Sequence, residues 1–281
     1  MPGNAPVEAD YACVWAPPRE FFVAHTRFKA VFNLGAGVDA ILKCDRLPDL
    51  LKGAPLIRLN DAGMAAQMAE YVTNFIERHT RRFDAYFDQQ RHATWKKHMP
   101  AARSEWPVGV MGVGSIGAVV VRSIHSQGYP VAGWSRQTKV LDGIRVFAGR
   151  ESLEAFLAAS RILVLVLPIT LETESIVDAQ ALARMKPGGL LINVGRGALV
   201  DDNALMAALD QGHLAHAVLD VFREEPLPAG HPFWRHPGIT VTPHISGLTL
   251  IEPSVRQILD KIAALERGER VEGLVDLQRG Y

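Results

Sequence analysis

Between Val108 and Gly117 a short apolar run, VGVM, leads into Gly112, Gly114 and Gly117, and the helical-looking stretch AVVVRSIHSQG follows at once. A GxGxxG set between strand and helix constrains this chain more than any other feature. Its glycines permit a tight turn, let backbone approach an anion and let the helix pack closely, while N–H groups at the helix start face the ligand. Downstream, the short apolar runs PVAGW, RILVLVLP, LLIN, HAVLD and ITVT recur between helical stretches and end near Gly247. That alternation predicts βαβ units around a parallel sheet buried on both faces, hence an α/β, doubly wound fold.

The first hundred residues read differently. Tyr11–Trp15 and KAVFNL (Lys29–Leu34) are strand candidates, the second followed by Gly35, Gly37 and Asp39. After Gly63, apolar residues at Met64, Met68, Tyr71, Val72, Phe75, Phe83 and Tyr86 predict one helix from about residue 64 to about residue 90. Pro100–Pro107 reads as a linker. With 281 residues, 48% of them hydrophobic, the chain has material for two domains of ordinary size. Thirty basic residues balance thirty acidic ones, so charge gives no reason to expect nucleic acid or an anionic membrane as partner. The cysteines, Cys13 and Cys44, form neither a disulfide framework nor a metal-ligand spacing. No apolar run approaches the roughly 20 residues that span a bilayer, and MPGNAPVEAD is not a secretory leader. A soluble cytoplasmic protein with a small-molecule or protein partner is expected.

The ends of the apolar runs carry the polar chemistry. A site for NAD of this type places an acid about 20 residues beyond the glycine turn, on the ribose 2′-OH. Here Ser135, Arg136, Gln137, Thr138 and Lys139 occupy that place, and two cations suit a 2′-phosphate, favouring NADPH over NADH; the other reading is two surface cations. Arg196 follows LLIN, Glu225 follows HAVLD and His244 follows ITVT. An arginine to clamp a carboxylate, an imidazole to donate a proton and a carboxylate to orient it suit hydride transfer to a 2-keto acid. Taken singly, Arg196 reads equally well as a surface or structural arginine, Glu225 better as an exposed loop carboxylate and His244 equally well as a packed histidine; their shared place at strand ends favours chemistry.

The stretches FNLGAGVDAI, VGVMGVGSIG, WSRQTK, LLINVGRGALVDDNAL, AVLDVFREEPLP and ITVTPHISG, with GERVEGLVDLQRGY at the end, resemble the D-isomer-specific 2-hydroxyacid dehydrogenase family. The likeness is strongest to its branch that reduces glyoxylate and hydroxypyruvate. It implies a Rossmann-type nucleotide domain over residues 64–265, including the long linking helix, and a smaller flavodoxin-like substrate domain from residues 1–63 and 266–281. Relatives carry one more strand and helix before the part matching Tyr11, so a less stable substrate domain is expected. By the same resemblance, NADPH lies on Gly112, Gly114, Ser115, Ile116, Gly117, Ser135, Arg136, Lys139 and Pro168, with Asp220 at the nicotinamide amide. The Ala36 and Gly37 amides hold the substrate carboxylate with Arg196, and Trp15 walls the pocket. Glu225 pairs with His244, the proton donor for reduction of glyoxylate to glycolate and hydroxypyruvate to D-glycerate; no metal is implied, and a homodimer is. Leu171 and Gly195 depart from the family pattern at positions that tolerate it. The scaffold also serves nucleotide-sensing corepressors, which, with a truncated inactive homologue, is the alternative.

Overall fold

The computed structural model describes residues 9–25 and 27–280. The chain divides into two compact units, one formed by the residues up to Met64 with those from Thr249 onward, the other by Ala65–Leu248.

The smaller unit holds three parallel strands, β1 (Tyr11–Val14), β2 (Ala30–Asn33) and β3 (Leu56–Arg58), in that spatial order. The central β2 is buried along its whole length, against Phe22, Ile41, Leu47 and Leu51. The helix Ile251–Glu266 belongs here as well. Its Gln257 side chain accepts the Asn60 amide at 2.8 Å, and the buried Lys261 donates to Arg58 O at 2.7 Å. The boundary therefore falls at residue 248/249, not at 265 as the sequence suggests, because the helix finds its polar partners beyond β3.

The larger unit is built on seven parallel strands: β4 (Val108–Met111), β5 (Val131–Ser135), β6 (Arg145–Ala148), β7 (Ile162–Leu165), β8 (Gly189–Asn193), β9 (Leu214–Leu219) and β10 (Ile239–Val241). Their order is β10-β9-β8-β7-β4-β5-β6, so the winding reverses between β4 and β7. Ligands of such sheets lie at that switch point, beyond the carboxyl ends of the strands. Strand residues alternate between faces. Val110, Ile162, Val164 and Ile192 pack with Val72 and Ile76 of the helix Met64–Thr80 and with Val120 and Ile124 of the helix Ser115–Ser126. Met111, Leu163, Leu165 and Leu191 pack on the other face with Phe156, Leu182 and Leu205. Burial on both sides is why β4, β7 and β8 read as unbroken apolar runs. The seventh strand, β6, escapes that reading because it is an edge strand in which only Phe147 is buried.

The single helix expected from about residue 64 to about residue 90 is two, Met64–Thr80 and Phe83–Arg91. Arg82 between them takes a left-handed φ of 57°. The second helix buries none of its side chains, so no packing selects a straight continuation, while Arg78 Nε reaches across the break to Asp84 Oδ1 at 2.8 Å. Pro100–Pro107 lies within the larger unit and links no domains. Among the described residues no helix is long and apolar enough to cross a membrane.

Candidate active site

The glycine turn sits where β4 ends. Gly112, at φ +99°, donates its amide to Trp134 O on β5 at 2.8 Å. Gly117 packs so tightly beneath it that a Cβ there would stand 1.8 Å from the Gly112 carbonyl oxygen. The helix Ser115–Ser126 starts from Gly114 without a side-chain cap; Gly114 and Ser115 are exposed and Ile116 is half-buried. A Cβ on Gly114 would meet nothing within 4 Å. An uncapped helix start with an open approach fits a dinucleotide pyrophosphate.

The residues after β5 stand beside this turn. Ser135 Oγ donates to Gln137 O at 2.5 Å, and Lys139 Nζ donates to Val113 O at 3.0 Å, which holds its charge at the glycine turn. Arg136 pairs with Glu172 at 3.5 Å; both side chains are exposed, and such a pair is weak enough to exchange for a phosphate. Pro168, exposed after β7, accepts Thr173 Oγ1 at its carbonyl at 2.8 Å.

Three neighbouring strand ends deliver the charged groups. Beyond β8 the buried Asn193 shapes the turn: its Oδ1 accepts the Gly195 amide at 3.1 Å and its Nδ2 donates to Arg196 O at 2.9 Å. Arg196 Nη1 donates to Gly195 O at 2.7 Å. Beyond β9, Glu225 Oε1 accepts the Phe222 amide at 2.9 Å, and its Oε2 lies 2.7 Å from His244 Nδ1. The hydrogen bond that His244 donates to Glu225 raises the His244 pKa, against burial, which lowers it. Burial would lift the Glu225 carboxyl, but the bonds from His244 and the Phe222 amide overcome it and leave the pKa below the usual carboxylate value. The Arg196 charge acts on both, lowering each pKa. With Nδ1 held by a carboxylate, the imidazolium presents Nε2 as its proton-donating atom.

The loop carrying His244 is organised by Asp220, which is fully buried. Asp220 Oδ1 accepts from Thr242 Oγ1 at 2.6 Å and from the Ile245 amide at 2.9 Å, Oδ2 accepts from the Ser246 amide at 2.8 Å, and its backbone carbonyl accepts the His244 amide at 2.9 Å. Tyr71 completes the network, its hydroxyl 2.6 Å from Thr242 Oγ1. Burial raises the Tyr71 pKa, so the phenol remains a neutral donor. These bonds hold His244 at φ 56°, a left-handed conformation unfavourable for a side chain of its size. Asp220, given by resemblance to the nicotinamide amide, here directs its carboxylate to the loop that carries the imidazole. Tyr71 read as a core aromatic and Thr242 as the end of a strand; no local pattern marks either.

In the smaller unit the turn after β2 is fixed by Asn33, whose Nδ2 donates to Gly35 O at 3.0 Å and to Gly37 O at 2.8 Å. Ala36 and Gly37 stay half-buried, and the exposed ring of Trp15 lies against Gly35. Trp15, Ala36 and Gly37 thus gather at the carboxyl ends of β1 and β2. Among the described residues no three His, Cys, Asp or Glu side chains are placed to hold a metal ion.

The sequence model for the NAD binding domain of D-isomer specific 2-hydroxyacid dehydrogenases matches residues 74–246. Glyoxylate/hydroxypyruvate reductase A of Serratia proteamaculans (strain 568) is 46% identical over 275 residues, 97% of this chain and 88% of the relative. Its counterpart in Yersinia enterocolitica is 43% identical over the same shares. A D-isomer specific 2-hydroxyacid dehydrogenase from Xanthobacter autotrophicus Py2, solved with NADPH and MES, superposes with a TM-score of 0.93 at 42% identity, covering 99% of this chain and 87% of that one. The NADPH-dependent glyoxylate/hydroxypyruvate reductase of Sinorhizobium meliloti, solved with NADP and sulfate, gives a TM-score of 0.89 at 33% identity over 97% and 86%.

Proposed function

The chain belongs to the D-isomer specific 2-hydroxyacid dehydrogenase family, and on that premise we propose that it reduces small 2-keto acids, glyoxylate and hydroxypyruvate first, at the expense of NADPH. The observation that carries this reading is the His244–Glu225 pair, 2.7 Å apart, beside Arg196 at the carboxyl ends of a sheet whose glycine turn is open to a dinucleotide. Gly112–Gly117 would hold the dinucleotide and Arg136 and Lys139 its 2′-phosphate; bound there, it would supply the hydride. Arg196 binds the substrate carboxylate and polarises the keto group; in the smaller unit the resemblance gives Ala36, Gly37 and Trp15 to the substrate as well. His244 Nε2 gives its proton to the keto oxygen as the carbon gains hydride, and Glu225 keeps the imidazole charged until then. Loss of NADPH absorbance on adding glyoxylate or hydroxypyruvate tests the reading; no turnover of either overturns it.

The raised His244 pKa sets the pH dependence. Reduction needs the imidazolium, so kcat falls as pH rises through that pKa. Glu225→Gln removes the largest cause of the shift, and the falling limb of the kcat profile moves to lower pH. A limb at the parental position in Glu225→Gln contradicts the pairing. Stability follows the same signs: the contribution of His244 is full below its unfolded pKa and is lost as pH rises through the folded one, whereas that of Glu225 is lost as pH falls through its depressed value.

Cofactor choice rests on Arg136. A hydrogen bond to a charged group contributes about 1.5–3 kcal/mol, so Arg136→Ala should lower kcat/KM for NADPH by about tenfold to a hundredfold and leave that for NADH unchanged. Equal losses with both cofactors would remove the 2′-phosphate from this site. Dimerisation in the cytoplasm belongs to the same reading: Phe83 and Phe87 on the outlying helix, with Trp95 and Met99 beyond it, expose apolar surface that a second copy can cover. Sedimentation velocity distinguishes dimer from monomer.

A further inference from the structure

Arg223 belongs neither to the glycine turn nor to the Glu225–His244 pair, yet its guanidinium joins three segments. Nη2 donates to Ser175 Oγ at 2.7 Å, to Val200 O at 2.7 Å and to Ala198 O at 3.4 Å. Nη1 lies 3.7 Å from Glu174 Oε1, and Nε 3.8 Å from Asp202 Oδ1. The Ser175 amide also donates to Ala198 O at 2.8 Å and the Val177 amide to Leu199 O at 3.0 Å, so the loop after β8 is pinned from that side too. On the backbone side a Cβ at Gly197 would stand 2.0 Å from the Phe222 carbonyl carbon, so the loops after β8 and β9 touch with no side chain between them. Arg196 is one residue before that contact, and Glu225, which accepts the Phe222 amide, is three residues after it. Nη2 serves a hydroxyl and two carbonyls while Nη1 and Nε face the carboxylates of Glu174 and Asp202, a planar spread over three nitrogens that one ammonium nitrogen does not reproduce.

We propose that Arg223 is a positioning residue for keto-acid reduction, fixing the spacing between Arg196, which holds the substrate, and the Glu225–His244 pair, which protonates it. The proposal rests on the roles given to those three residues above. A substrate clamp and a proton donor act together only when aligned, and a misplacement of about 1 Å can lower the rate about a hundredfold. Displacing the loop after β8 also takes the Arg196 charge away from His244. That charge lowers the His244 pKa, so its retreat moves the falling limb of the kcat profile to higher pH.

The test compares Arg223→Met, Arg223→Lys and Ser175→Ala with the parental enzyme in NADPH-dependent reduction of glyoxylate. Both Arg223 variants should lose at least about tenfold in kcat/KM, through KM and kcat together. NADPH affinity, read by fluorescence titration, should stay at the parental value, and the falling limb should move upward in pH. Ser175→Ala should shift the same quantities less. In a further variant, Arg223→Ala, which leaves room for it, added guanidinium should restore part of the activity. An arginine needed only for folding lowers Tm and leaves kcat/KM and the pH limb of the folded enzyme unchanged, and that result overturns the proposal. Parental turnover that is lost in Arg196→Gln but intact in the Arg223 variants overturns this proposal alone; no turnover by the parental chain overturns it together with the function it rests on.

Discussion

Replacing His244 with alanine should lower kcat for keto-acid reduction by about 10²–10⁴-fold, the range expected when a positioned general acid is removed. NADPH should bind the variant as it binds the parental enzyme, because the glycine turn owes nothing to His244. The backbone complicates the experiment in a useful way. His244 sits at φ 56°, where alanine is disfavoured by roughly 1–2 kcal/mol and asparagine is accepted more readily. His244→Asn therefore keeps the loop while removing the acid. Both variants should be equally slow, with alanine showing the lower Tm of the two. Steady-state kinetics with a fluorescence titration of NADPH decides the matter, and near-parental kcat in either variant refutes the assignment.

Arg196→Gln should be nearly as damaging. It removes the charge that binds the substrate carboxylate and polarises the keto group, and loss of such a donor lowers kcat by about 10²–10³-fold. KM for the keto acid should rise as well, because part of the interaction exists before hydride moves. Arg196→Lys should rescue little, since one ammonium cannot reproduce a two-pronged contact with a carboxylate. A titration signature accompanies the loss: without the Arg196 charge the His244 pKa rises further, and the falling limb of the kcat profile moves to higher pH. Loss of rate without that movement would place Arg196 away from the imidazole.

Most of this site was legible in the sequence because it is made of strand ends. An all-parallel sheet buried on both faces writes its strands as apolar runs, and the first polar residues after each run are those its ligand meets. Arg196, Glu225 and His244 were found that way, and the glycine turn by its own spacing. What escaped was information held in other segments. Arg223 carries no pattern of its own in the sequence, and only its partners, at Ser175 and Val200, give it a role. Asp220 ends a strand as an acid should, but its burial and its three side-chain bonds to the loop of residues 242–246 depend on how β9 and β10 are aligned. The break at Arg82 was hidden because helical periodicity continues across it. The edge strand β6 was missed because only one of its four residues, Phe147, is buried, so it writes no apolar run.

The division of the chain bears on the order in which it becomes a protein. The unit from Ala65 to Leu248 is continuous, whereas the smaller one is assembled from segments that the whole larger unit separates. During synthesis, when domains form as units from the amino-terminal side, β1, β2 and β3 emerge first but wait for Gln257 and Lys261, which come last. The nucleotide-binding unit can close while the helix Ile251–Glu266 is still inside the ribosome. Chains ended after residue 248 and released from the ribosome should therefore resist protease across the larger unit and remain cleavable before Met64.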